Sequence, residues 1–178
     1  MDANTVRVPM ELGLHLSQGH SPSTTTEKAE MAGVPYHEVV GLLMYAALGT
    51  CPNMAFATVT VSQFMQDPGK VHWEVVKCIF RYLKGRHNIE LTFGGEPTGF
   101  IAYSDANLAS QEHHHSISGY ILLIDNGSIS WSSKKKPIVA LSTTEAEYIA
   151  SMHAEKEILW MWAFLTCMTT YPADHSIW

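Results

Sequence analysis

The side chains best suited to chemistry are two carboxylates far apart in the chain, Asp105 and Glu147. Asp105 closes a short apolar run, Phe100 to Ser104 (FIAYS), that has the composition of a strand. Glu147 lies on a helical pattern in line with Ala150, Ala154, Ile158 and Met161, at the spacing that puts side chains on one helix face. A carboxylate at the head of an apolar stripe is costly unless it is paired, protonated or bound to a metal. Taken alone, Glu147 also admits a plainer role, one turn into the helix and reaching solvent past a sheet edge. If the strand ending at Asp105 packs beside the start of that helix, the two carboxylates meet. Two hard oxygen ligands suit a magnesium-type cation, and such pairs serve two-metal phosphoryl transfer.

Basic residues form the second constellation. Lys70, Lys77, Arg81 and Lys84 are seven, four and three residues apart, so on a helix they share a face. Trp73, Val76, Ile79, Phe80 and Leu83 fall on the apolar side of the same helix. A basic stripe backed by aromatic anchors is what a helix lying along a phosphate backbone needs, and a solvated face on an ordinary amphipathic helix is the competing explanation. Lys134 and Lys135, followed by Lys136 and close to Trp131, could touch the same kind of backbone or form a solvated loop. His113 to His115 are adjacent, and adjacent loop histidines rarely converge on one ion, so they read as a surface cluster.

The elements that must position these residues follow from local signals. Ser142 stands three residues before Glu145 and directly before the helical pattern, the capping-box arrangement in which hydroxyl and carboxylate satisfy each other's free amides. Leu141 and Ala146 occupy the staple positions on either side. Glu145 therefore has a structural task. Pro35 opens a helix whose face carries Val39, Val40, Leu43, Met44 and Ala47; Pro52 breaks it, and a second helix runs from about Asn53 to Met65. Asp67-Pro68-Gly69 is a turn, and a third helix spans Lys70 to Lys84 with Gly85 closing it. After Gly94-Gly95 the period becomes strand-like. Strands are expected at Phe100 to Ser104, Ile117 to Ile124 and Ser128 to Ser132, with an Asp125-Asn126-Gly127 hairpin turn between the last two. Pro137 to Leu141 is extended and leads into a helix ending near Cys167.

The fold class is thus α+β, a helical segment followed by three antiparallel strands and a helix. We divide the chain into a linker or arm (1–33), a helical segment (34–95), a strand-rich region (96–168) and an unassigned tail (169–178). The net charge of −6 gives no general attraction to nucleic acid, so any such contact must be local. Cys51, Cys78 and Cys167 are odd in number and widely spaced. They suit reduced thiols of an intracellular protein, cytoplasmic or nuclear and not secreted, better than disulfides or zinc. The longest apolar run, Val39 to Leu48, is too short to span a bilayer.

VPYHEVVGLLMYAALGTCPNMAFA, QDPGKVHWEVVKCIFRYLKG, YSDANLAS and SISGYILLIDNGSISWSSKKKPIVALSTTEAEYIAS together resemble, in order, the C-terminal part of the Pol polyprotein of copia-type LTR retrotransposons. The resemblance implies that 96–168 is a partial ribonuclease H-like domain and that 34–95 is the connection to the reverse transcriptase. In that family such a region cleaves the RNA strand of RNA–DNA hybrids with magnesium. Its partners would be a hybrid or other nucleic acid and other Pol-derived chains. Asp105 in YSDAN matches the first metal-binding Asp of the family, and Glu147 in AEYIAS matches the Glu of its first helix. Asn107 stands where a second Asp is usual, at a position that is not the expected ligand. Two further metal-binding aspartates of the family have no counterpart; Asp174 is in no such motif. The alternatives are a nucleic-acid-binding module without chemistry and an inert retrotransposon relic.

Overall fold

The computed structural model describes residues 4–11, 13–94, 99–107, 116–136 and 140–170; His113 to His115, residues 137–139 and Asp174 lie outside them. Among the described residues the helices are α1 (Thr25–Ala32), α2 (Tyr36–Gly49), α3 (Ala55–Ser62), α4 (Lys70–Arg86) and α5 (Thr143–Thr170). The strands β1 (Phe100–Asn107), β2 (Ile117–Ile124) and β3 (Gly127–Lys135) stand between α4 and α5, and short 3-10 turns occupy Gln18–His20 and Pro52–Met54. The molecule is a mixed α+β fold, helices first, then a three-stranded antiparallel sheet in the order β1-β2-β3, then one long helix.

The helical core is built from α2, α3 and α4. Val40, Leu43 and Ala47 of α2 pack with Ala57 and Val61 of α3 and with Val75, Val76 and Ile79 of α4. Tyr36 is buried against them and satisfies its hydroxyl by donating to the Val61 carbonyl at 2.8 Å, as a buried phenol must. Burial alone pushes its ionisation well above the usual tyrosine range.

Residues 4–33, expected as a linker or arm, are docked in part. Leu16 is a core residue. Thr24 caps α1 by accepting from the Glu27 amide at 3.2 Å, while Glu27 reaches back to the Thr24 amide at 3.0 Å, so the polar SPSTTTEKAE stretch is itself a helix start. These hydrogen bonds hold the Glu27 carboxyl below its ordinary pKa. The arm is pinned by His72, which is fully buried and stacked on Phe64 at 4.1 Å. Its Nδ1 accepts from the Gly69 amide at 2.9 Å, and its Nε2 lies 3.2 Å from the Ser17 carbonyl. A carbonyl only accepts, so Nε2 carries the proton. Gly69 is required here because a Cβ would meet the His20 carbonyl oxygen at 1.8 Å.

Three expectations for the helices shift. α4 runs through Gly85 to Arg86 instead of stopping at Gly85, whose missing side chain leaves room for Thr5. Its buried face is His72, Val75, Val76, Ile79 and Tyr82, and Phe80 is 43% exposed. In α3 the buried residues are Ala57, Thr58, Thr60 and Val61, and the helix is shorter than its apolar pattern suggested, preceded by the 3-10 turn after Pro52.

β2 spans the expected residues, whereas β1 extends to Asn107 and β3 to Lys135 because cross-strand pairing continues over polar side chains. In the hairpin the positive φ angles fall at Asp125 and Asn126, 47° and 66°, and Gly127 is already in the strand. Gly127 serves a different purpose: a Cβ there would meet the Phe93 ring at 2.0 Å.

Candidate nucleic-acid interface and carboxylate site

Strand alternation decides where the carboxylates go. Ser104 Oγ of β1 lies 3.3 Å from Ser151 Oγ of α5, and Ser130 Oγ of β3 donates to Glu157 Oε1 at 3.1 Å. The face carrying Ser104 and Ser130 is therefore the one covered by α5. Successive strand residues point to opposite faces, so Tyr103 and Asp105 belong to the other face with Trp131. That second face packs on the helical core, tied by Trp131 Nε1 donating to the Ala47 carbonyl at 2.7 Å. Asp105 is exposed there and lines a cleft of about 460 Å³ with Tyr103, Asn107, Asn53 and Phe56.

Glu147 is exposed, one turn into α5. The buried stripe of that helix is headed not by Glu147 but by Ala146, followed by Ala150 and Ala154. Ala150 and Ala154 are buried as the spacing predicts, and only the head of the stripe differs, because the small Ala146 and not Glu147 lets the start of α5 approach the sheet. The expectation that the sheet would bring Asp105 beside Glu147 is not met; they occupy opposite faces. Such an arrangement offers a magnesium ion one carboxylate at a time, which does not fit a two-carboxylate site. Among the described residues no group of three or more His, Cys, Asp or Glu could hold a metal ion.

The capping box forms with one change of partner. Glu145 N donates to Ser142 Oγ at 3.1 Å, and Glu145 Oε2 accepts from the Leu141 amide at 2.7 Å, one residue earlier than expected. Leu141 is 92% exposed while Ala146 is buried, so the two make no staple.

The basic face of α4 lies opposite its buried face, as its spacing required, with Lys70, Lys77 and Lys84 exposed. It is less free than its sequence suggests. Lys77 pairs with Glu74. Arg81 is half-buried under the N-terminal arm, in a cavity shared with Met10, Glu11 and Leu14. Lys134 and Lys135 separate: alternation sends Lys134 to the α5 face and Lys135 to the core side. Lys134 and Lys156 both act electrostatically on Lys136 and His153, a grouping that the sequence neighbourhood of Lys134 did not suggest. Burial first, and the neighbouring lysines second, hold both Lys136 and His153 below their ordinary pKa values. The spacing of His153 and Lys156 on α5 was a visible signal, but only the sheet register shows that Lys134 and Lys136 join them.

Comparison with known proteins supplies the family. The chain is 42% identical over 177 residues, 99% of its length, to the Retrovirus-related Pol polyprotein from transposon TNT 1-94 of Nicotiana tabacum. It is 36% identical over 93% of its length to the Retrovirus-related Pol polyprotein from transposon RE2 of Arabidopsis thaliana. The chain belongs to the copia-type Pol polyprotein family. It spans 13% and 11% of the lengths of those two Pol polyproteins. It also shares 41% identity over 133 residues with a protein of Plasmopara viticola named Secreted RxLR effector protein 161, covering 94% of that protein. No family model matches the chain, and no solved structure does. Among the described residues of this Pol chain, no helix is long and apolar enough to cross a membrane.

Proposed function

We propose that this chain is the ribonuclease H-like part of a Pol polyprotein, joined to the helical connection that precedes it, and that in this fold it engages an RNA–DNA hybrid without cutting it. The observation that carries the second half is the placement of Asp105 and Glu147 on opposite faces of the sheet. Hydrolysis of a phosphodiester by two metals needs carboxylates converging on one reacting phosphate, and Asp105 and Glu147 on opposite faces give no such point. The first half is supported by the order β1-β2-β3-α5 together with the quoted YSDAN and TEAEYIAS blocks, which match the family's metal-binding positions. The lysines of α4 supply the backbone contact, with Lys70 and Lys84 at its ends and Lys77 shared with Glu74.

Other Pol-derived chains are the protein partners we propose. The location is intracellular, cytoplasmic or nuclear, where the free thiols of Cys51, Cys78 and Cys167 stay reduced.

The purified chain, incubated with a labelled RNA–DNA hybrid and magnesium, is expected to bind in a salt-sensitive way and to release no cut RNA. An Asp105→Asn/Glu147→Gln double variant should bind equally. Magnesium-dependent cutting by the native chain that disappears in the double variant would overturn the proposal and return both residues to catalysis.

A further inference from the structure

α5 leaves a flank that neither the sheet nor the helical core covers. His153, Lys156, Trp160 and Phe164 follow one another at three- and four-residue steps, so they share one side of the helix. Trp160 and Phe164 are 57% and 47% exposed, with their rings stacked nearly parallel, 9° apart in plane and 5.6 Å between centroids. At the other end of this stripe β3 brings up the exposed Lys134, and Lys136, just past the strand, lies buried beneath at 6% exposed. The groups that face His153 are the cations Lys134, Lys136 and Lys156 and the carboxylate Glu157. That carboxylate already accepts from the Ser130 hydroxyl. Three lysines and a histidine thus gather with one carboxylate among them, an excess of positive charge on a chain whose net charge is −6.

We infer that this flank, from Lys134 through His153 and Lys156 to Trp160 and Phe164, binds single-stranded nucleic acid, with the buried Lys136 adding its charge from beneath. The two halves of the stripe have complementary tasks. Clustered cations raise each other's free energy, and a phosphate backbone relieves that repulsion while releasing its own counterions. Exposed ring faces next to the cations are stacking platforms for bases, and only unpaired bases have a face to offer them. A duplex keeps its bases stacked on one another and presents phosphates alone, so the aromatic half of the site selects a single strand. Four residues of helix advance about 6 Å, so charge and ring follow each other closely along one line. Neither Asp105, Glu147 nor α4 takes part, and the site stands or falls separately from the hybrid contact above.

The test uses the full chain and a labelled oligodeoxythymidine, with a blunt DNA duplex of the same length alongside. Fluorescence anisotropy should show that Trp160→Ala/Phe164→Ala weakens binding of the single strand about tenfold or more, the scale of one or two lost stacking contacts, with duplex binding unchanged. Lys134→Ala/Lys156→Ala should weaken both ligands and flatten the salt dependence. The His153 imidazole, followed by NMR and assigned with His153→Gln, should titrate at higher pH in the single-strand complex. Unaltered single-strand binding in both double variants would overturn the site, as would an unmoved His153 titration. So would a dimer seen by sedimentation and lost in Trp160→Ala/Phe164→Ala, since a second copy would then be the occupant. Circular dichroism of each variant confirms that the fold is retained.

Discussion

Ser142 and Glu145 show how much one residue can fix. The hydroxyl satisfies the Glu145 amide and the carboxylate satisfies the Leu141 amide, so two otherwise free donors at the head of α5 are paired. Ser142→Ala should cost about 1 kcal/mol, measured by urea unfolding; no change would mean that α5 starts elsewhere. His153 gives a pH signature at the same scale. Its folded pKa lies below the unfolded value because burial and three lysines oppose its charged form. The unfolded chain therefore takes up the proton first as pH falls, near the ordinary histidine value of about 6.5. The stabilising contribution is present above that pH and lost as pH falls through the folded pKa. The melting temperature of the native chain should drop over that window by more than that of His153→Gln, and equal drops would assign the effect to other groups.

At the scale of elements, the docking of the N-terminal arm depends on close backbone approach between Gly69 and His20. Gly69→Ala has no room for its methyl beside a backbone carbonyl, and we expect a loss of roughly 2 kcal/mol or more, with the arm becoming the first site of proteolytic cleavage. An unchanged proteolytic pattern would show that the arm is held elsewhere. Much of the element order was legible in the sequence, because Pro35, Pro52, Asp67-Pro68-Gly69 and Asp125-Asn126-Gly127 punctuate it with residues of restricted or permissive backbone. Helix α1 was not, since its capping box opens no apolar stripe. The stripe on α5 was legible at Ala150 and Ala154, both buried, but its head is Ala146 and not Glu147, which is exposed.

At the scale of the whole molecule, two layers meet through the face of the sheet that carries Trp131. The indole donates to the Ala47 carbonyl across that junction, and Trp131→Phe should cost about 1 kcal/mol for the hydrogen bond, read by denaturant unfolding. The same junction explains why the carboxylates part company. Sequence patterns identify Asp105 as the last residue of an apolar run and Glu147 as an early residue of a helix. Which side of the sheet each occupies depends on alternation within β1 and on which face α5 covers, and neither is a local property. The basic residues follow the same logic, with Lys134 and Lys135 adjacent in sequence and on opposite faces in the fold.

The separation of Asp105 and Glu147 is therefore the central claim, and cutting of a labelled RNA–DNA hybrid in magnesium tests it most directly. We predict salt-sensitive binding and intact RNA from the native chain and from Asp105→Asn/Glu147→Gln alike. Cut RNA from the native chain alone would contradict the account, for it would require both carboxylates at one phosphate.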